Sequence, residues 1–78
     1  MKYLIMEDFA GQPVSFVFPR RVDHADMREQ LPYGRVLGAG YVSLTNGAFH
    51  CFGGCAELDV VARPEDEAIL TDAFQKAE

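Results

Sequence analysis

The residues best suited to chemistry in this 78-residue chain are two cysteines and two histidines. Cys51 and Cys55 have three residues between them, whereas a redox pair or a zinc half-site usually has two, and no second ligand pair follows. On a continuous strand these cysteines would lie roughly 13 Å apart, too far for a disulfide, although a break at Gly53-Gly54 would shorten that distance. The spacing therefore favours buried thiols over a metal site or a disulfide.

His24 and His50 could activate a cysteine for nucleophilic catalysis, but nothing in their spacing requires it. We interpret His24 as an edge residue of a helix and His50 as a polar residue on the outer face of a sheet. Gly53-Gly54 is not followed by the Lys-Ser or Lys-Thr of a phosphate-binding loop. The sequence predicts no catalytic residue, cofactor or metal, and we expect a protein that is not an enzyme.

The net charge of −5 is unevenly distributed along the chain. Acids and bases balance in residues 1–56, so the excess of negative charge lies in residues 57–78. Such a surface repels nucleic acid and anionic membranes and favours basic partners. No apolar run reaches the roughly 20 residues that a membrane span requires, and the N-terminus lacks the features of a signal peptide. We therefore expect one domain, residues 1–78, in the cytoplasm.

The N-terminal half of the chain predicts a hairpin and a short helix. Residues 2–7 and 13–18 are apolar and rich in β-formers, and the segment between them has turn chemistry. Asp23 is a suitable N-cap for a helix over residues 24–31, in which Asp26 completes a capping box and Val22 and Met27 form a hydrophobic staple. Pro32 and Gly34 end this helix.

Asn46-Gly47 predicts a second hairpin, because both positions of its tight turn need a positive φ. The resulting register pairs Leu44 with Phe49 and Tyr41 with Phe52. One face, assigned to the core, then carries Val36, Gly38, Gly40, Val42, Leu44, Phe49 and Cys51. The other face carries Leu37, Ala39, Tyr41, Ser43, His50 and Phe52.

A helix is predicted from Pro64, with carboxylates in its first turn favourably placed against the helix dipole. Its apolar arc consists of Ile69, Leu70, Ala73, Phe74 and Ala77, and Asp72 and Lys76 form a supportive pair. The predicted fold is α+β in the order ββαββα, a four-stranded antiparallel sheet made of two hairpins, with both helices on one face.

Two surfaces are candidates for binding a partner. The acidic residues of the last third are either a solvated face or a surface that competes with nucleic acid for a basic groove. Tyr41 and Phe52 form an apolar patch that is either covered by the N-terminal hairpin or a loop, or exposed for a partner or a homodimer. The predicted partner-binding residues are Glu57, Asp59, Glu65, Glu67, Asp72, Tyr41 and Phe52.

Several short segments resemble a group of short proteins of Mu-like and related prophages. They are Lys2-Tyr3-Leu4-Ile5, Phe18-Pro19 followed by His24-Ala25, Gly38-Ala39-Gly40-Tyr41-Val42, Ala56-Glu57-Leu58 and Ala62-Arg63-Pro64-Glu65-Asp66. The resemblance covers most of the chain, but Cys51, Cys55 and Gly53-Gly54 depart from it. It implies a phage origin and no particular mechanism.

Small acidic proteins of mobile elements include many anti-CRISPR inhibitors, so the resemblance and this analogy of class imply an inhibitor of a type I CRISPR effector complex. Its partners would be effector subunits with a basic groove, in the cytoplasm of the host bacterium, without direct contact to nucleic acid or membrane. The alternative is a structural or assembly accessory of a phage particle that self-associates through Tyr41 and Phe52.

Overall fold

The computed structural model describes residues 1–75 and has the α+β architecture that the sequence predicts. Its elements are β1 (Lys2–Glu7), β2 (Pro13–Phe18), α1 (His24–Glu29), β3 (Arg35–Thr45), β4 (Ala48–Phe52), β5 (Gly54–Cys55), β6 (Val60–Val61) and α2 (Pro64–Gln75). Strands β1 to β4 form one antiparallel sheet in the order β2-β1-β3-β4. Strands β5 and β6 form a separate small hairpin between β4 and α2, which is not among the predicted elements.

The strand pairing confirms the two predicted hairpins, and local interactions in each turn explain them. In the first, the Asp8 carboxylate accepts hydrogen bonds from the backbone amides of Ala10 and Gln12, at 2.9 and 2.8 Å. In the second, Asn46 and Gly47 have φ values of 52° and 78°. The predicted pairing of Leu44 with Phe49 and of Tyr41 with Phe52 follows from this two-residue turn.

Strand β1 is the centre of the core, because it is buried on both of its faces. Its side chains alternate between two apolar clusters, one containing Tyr3 and Ile5 and the other containing Leu4 and Met6. All four are fully buried. A run of consecutive apolar residues, without polar alternation, is what a strand covered on both sides requires.

The expectation that both helices lie on one face is wrong. Leu70 and Ile69 of α2 pack on the Tyr3 side of the sheet, whereas Met27 of α1 packs on the Leu4 side. The β5–β6 hairpin shares the second side, where Cys55 and Val60 pack. Each face of β1 therefore has its own cover.

A register shift between β1 and β3 changes the predicted faces of β3. Ile5 pairs with Gly38, but Met6 pairs with Val36, so Leu37 is an extra residue in the ladder. Val36 consequently packs on the Leu4 side and Leu37 on the Tyr3 side, the reverse of the prediction. Leu44, assigned to the core, is 57% exposed.

Helix α1 is shorter than predicted and begins differently. It spans His24–Glu29, and the backbone of Asp23 occupies the N-cap position. The Asp23 side chain makes no capping hydrogen bond there, and its carboxylate lies 3.7 Å from the Lys2 ammonium instead. Val22 and Met27, the expected staple, both pack against the apolar cluster around Leu4.

Candidate functional site

The predicted partner-binding carboxylates divide between two parts of the molecule. Glu57 and Asp59 are exposed in the turn that joins β5 to β6. Glu65 is exposed in the first turn of α2, and its carboxylate lies 3.8 Å from the Arg63 guanidinium. Glu67 and Asp72 follow further along α2, half-buried and exposed respectively. The acidic residues therefore form two groups and not one continuous surface.

Arg20 and Arg35, in the N-terminal half, contact other groups and not these carboxylates. Arg35 forms an ion pair with Glu7 at 3.4 Å, and the Arg20 guanidinium lies 5.3 Å from the centre of the Tyr41 ring. The carboxylates of Glu57 and Asp59 have no ion pair within residues 1–75. Their charge is therefore not cancelled across the described fold.

Asp66 contradicts the expectation that the carboxylates of α2 all point outward, because it is fully buried. Its Oδ2 accepts hydrogen bonds from the Tyr3 hydroxyl at 2.5 Å and from the Arg63 backbone amide at 2.9 Å. Its Oδ1 accepts one from Arg63 Nε and pairs with Arg63 Nη2, both at 2.8 Å. A buried carboxylate needs such partners, and these tie α2 to the centre of the sheet.

Gly38 makes room for this carboxylate. A Cβ atom at that position would lie 2.6 Å from Asp66 Oδ2. The glycine at position 38 therefore lets α2 approach the strand closely, and the approaching group is a carboxylate and not an apolar side chain. The strand glycine was the available signal for a buried polar contact that sequence reasoning missed.

The hydroxyl and the thiol beside Asp66 are both held in their neutral forms. Burial, the hydrogen bond to Asp66 and its negative charge raise the pKa of Tyr3. Burial and the charges of Asp66 and Glu67 raise the pKa of Cys51 to about 11. A thiol with that pKa is a poor nucleophile near neutral pH, because the thiolate is the reactive form.

The cysteines and histidines do not converge on one site. Cys51 packs against the cluster around Tyr3 and Cys55 against the cluster around Leu4, and both thiols are free and half-buried. His24 is buried, not at an edge as predicted, and its Nε2 is 2.9 Å from the Gly40 carbonyl oxygen. His50 is exposed. No group of three or more potential metal ligands occurs within residues 1–75.

A groove between α2 and β4 brings part of the predicted acidic set together with apolar residues. It has a volume of about 440 Å³ and is lined by Ala48, Phe49, Glu67, Ala68, Thr71 and Asp72. The Glu67 carboxylate accepts a hydrogen bond from the Cys51 backbone amide at 2.9 Å, so it is fixed at the edge of β4. This groove combines an apolar floor with an acidic rim.

Phe49 and Phe74 extend the apolar floor of the groove. Their ring centres are 5.7 Å apart, and Phe74 remains 46% exposed. Phe49 is also the cross-strand partner of the exposed Leu44. Strand alternation placed Leu44 and Phe49 in the core, and the apolar arc of the helix placed Phe74 there, but β4 is an edge strand that α2 covers only in part.

The predicted aromatic patch is half covered. Tyr41 and Phe52 stack with ring centres 5.9 Å apart, and Phe52 is 54% exposed. Arg20 lies over Tyr41, and the His24 ring meets it edge-on at 6.1 Å. These contacts come from Arg20, in the loop after β2, and from His24 of α1, so a loop supplies part of the cover, as one of the predicted alternatives had it.

Comparison with protein-family models, with curated proteins and with solved structures gives no match to this chain. Within residues 1–75, neither helix is long and apolar enough to cross a bilayer.

Proposed function

We propose that this protein acts by binding and not by catalysis, as a phage-encoded anti-CRISPR inhibitor of a type I effector complex. In this proposal it works in the cytoplasm of the host bacterium, where it occupies a basic, DNA-binding surface of the effector subunits. It prevents the effector complex from binding target DNA and does not itself contact nucleic acid. The observation that carries the proposal is the set of exposed carboxylates in the last third of the chain.

Electrostatics explains why such carboxylates suit a DNA-competing surface. Exposed negative charge speeds encounter with a basic groove and rejects nucleic acid and anionic membranes. Glu57 and Asp59 have no ion pair within the described fold, so their charge is available to a partner. The raised pKa of Cys51 and the placement of the two thiols in different apolar clusters weigh against thiol catalysis.

A mobility-shift assay with a purified type I effector and its target DNA tests the proposal. We expect the wild-type protein to prevent the DNA shift, and inhibition to weaken steeply as salt is raised. The variant E65Q/E67Q/D72N removes three charges with little change of shape and should lose most inhibition. The control D26N/E29Q removes two charges from α1 and should inhibit normally. Equal inhibition by both variants would rule out the carboxylates of α2 as the inhibitory surface.

A second candidate function is self-association as an accessory of a phage particle, favoured by the exposed ring of Phe52 stacked on Tyr41. Light scattering distinguishes it from the inhibitor. Self-association through this patch predicts a dimer whose mass falls to that of a monomer in F52S. A strict monomer at high concentration would count against the accessory role.

A further inference from the structure

We infer that the groove between α2 and β4 binds an extended segment of a partner protein that alternates basic and apolar residues. Its apolar side chains would pack on the groove floor, and its arginine or lysine side chains would pair with Glu67 and Asp72. The inference rests on the proposed function and names the surface that would contact the partner.

The floor supplies the apolar half of the recognition. Leu44, Phe49 and Phe74 lie next to one another, since Leu44 and Phe49 are cross-strand partners and the two phenylalanine rings are 5.7 Å apart. Leu44 is 57% and Phe74 is 46% exposed. Adjacent exposed aromatic and aliphatic side chains are typical anchors of protein interfaces.

The rim supplies the charge. Glu67 and Asp72 line the groove together with Thr71, and Glu67 has no ion pair within residues 1–75. The hydrogen bond from the Cys51 amide holds the Glu67 carboxylate in place, so little side-chain freedom is lost when a cation binds. Two carboxylates beside an apolar floor are complementary to a segment that carries both cationic and apolar side chains.

The same hydrogen bond limits how the partner can bind. Strand β4 is an edge of the sheet, and an edge strand can accept another strand through its unpaired backbone groups. At Cys51, however, the outward amide is already bonded to Glu67. The partner therefore docks by side chains across the groove and does not extend the sheet along the whole of β4.

The test is a titration of the isotope-labelled full chain with a short synthetic peptide of alternating arginine and leucine. We expect the amide resonances of Phe49, Ala68 and Thr71 to shift, and a peptide of alternating glutamate and leucine to cause no shift. E67Q/D72N should weaken the dissociation constant about tenfold, the loss of one to two charge-assisted contacts. F74A should weaken it severalfold at every salt concentration, because its contribution is apolar.

The control D26N/E29Q removes the same amount of charge from α1, on the other side of the sheet, and should bind the peptide as tightly as wild type. Glutamine at position 67 can still accept the Cys51 hydrogen bond, and D72N alone is a milder variant if the double variant unfolds. Equal weakening by D26N/E29Q, or shifts confined to residues outside the groove, would overturn the inference.

The outcomes also separate this inference from the proposed function. If the peptide binds in the groove but the protein inhibits no effector complex, only the proposed CRISPR target is contradicted. If the protein inhibits an effector but its groove does not bind the peptide, the inference about the groove is wrong and the proposed function stands.

Discussion

Asp66 has no exposed surface, and its carboxylate accepts three hydrogen bonds and forms one ion pair. Tyr3 provides a hydroxyl, and Arg63 provides its backbone amide and two guanidinium nitrogens. The Arg63 side chain is only 27% exposed, so its charge depends on Asp66 for compensation. Removing one partner of such a pair leaves the other charge poorly solvated.

We expect D66N to lower the free energy of unfolding by about 3 kcal/mol, because an amide would direct a donor at the donors that now contact the carboxylate. Tyr3→Phe should cost about 1.5–3 kcal/mol, the value of one hydrogen bond to a charged acceptor. Urea denaturation measures both. The control E65Q alters an exposed ion pair beside the same arginine and should change stability by less than about 1 kcal/mol. A D66N protein as stable as E65Q would contradict the role assigned to Asp66.

Cys51 should react slowly with alkylating reagents. Its pKa is raised to about 11, so only a small fraction is thiolate near neutral pH. In the variant C55A, which leaves Cys51 as the one thiol, the rate of reaction with iodoacetamide should rise with pH and reach half its maximum near pH 11. A midpoint at the ordinary value of a free thiol would show that burial and the neighbouring carboxylates do not act on Cys51.

The contact between β3 and α2 depends on the absence of a side chain at Gly38. In G38A the new Cβ would meet Asp66 Oδ2 at 2.6 Å, and that oxygen cannot move without breaking its own hydrogen bonds. We expect a loss of about 2 kcal/mol in the free energy of unfolding, as for other overpacked sites. Thermal and urea denaturation measure it.

Gly34 provides the matched control at the element scale. A Cβ atom there meets nothing within 4 Å, and its φ is not in the positive region. G34A should therefore leave stability unchanged or raise it by about 0.5 kcal/mol, because alanine restricts the unfolded chain. Equal destabilisation by G34A and G38A would argue against the contact between Gly38 and Asp66.

The strands were predictable where local chemistry decides them. Asn46-Gly47 fixed its own turn and, through it, the pairing of Tyr41 with Phe52. The side of the sheet on which α1 packs was not predictable, because its apolar residues would suit either face. The bulge at Leu37 was equally unpredictable, since a bulge depends on how two strands pair and not on the sequence of the bulged strand alone.

The candidate site was predictable only in part. Glu67 and Asp72 were selected for their charge, and the structure brings them into one groove. Their neighbours Phe49 and Phe74 were assigned to the core, because periodicity gives the face of a residue but not how far the covering helix extends. Whether the groove is exposed depends on how α2 crosses the edge of the sheet, which is a property of the tertiary fold.

The whole molecule should lose stability in alkaline solution. Tyr3 and Cys51 both have raised pKa values in the folded chain, so the unfolded chain releases these protons at lower pH than the folded one. Their contribution is fully present below the unfolded pKa values and is lost as pH rises toward the folded ones. We expect the free energy of unfolding to fall between pH 9 and about pH 11.

Urea denaturation at several pH values measures this loss. In C51A the decline should be shallower, because one of the two protonated groups is gone, and Y3F should act in the same way. A stability that stays constant across this pH range would mean that neither group is buried as the structure shows.

The hydrogen bond between Tyr3 and Asp66 joins residues 63 positions apart in the sequence. Strand β1 therefore receives its polar partner only after α2 has begun to be synthesised. Until then the face of β1 that carries Tyr3 and Ile5 lacks its cover, which is α2. An apolar strand that is exposed during synthesis can aggregate with other unfolded chains. The yield of folded protein on expression should therefore be sensitive to crowding and to chaperone supply.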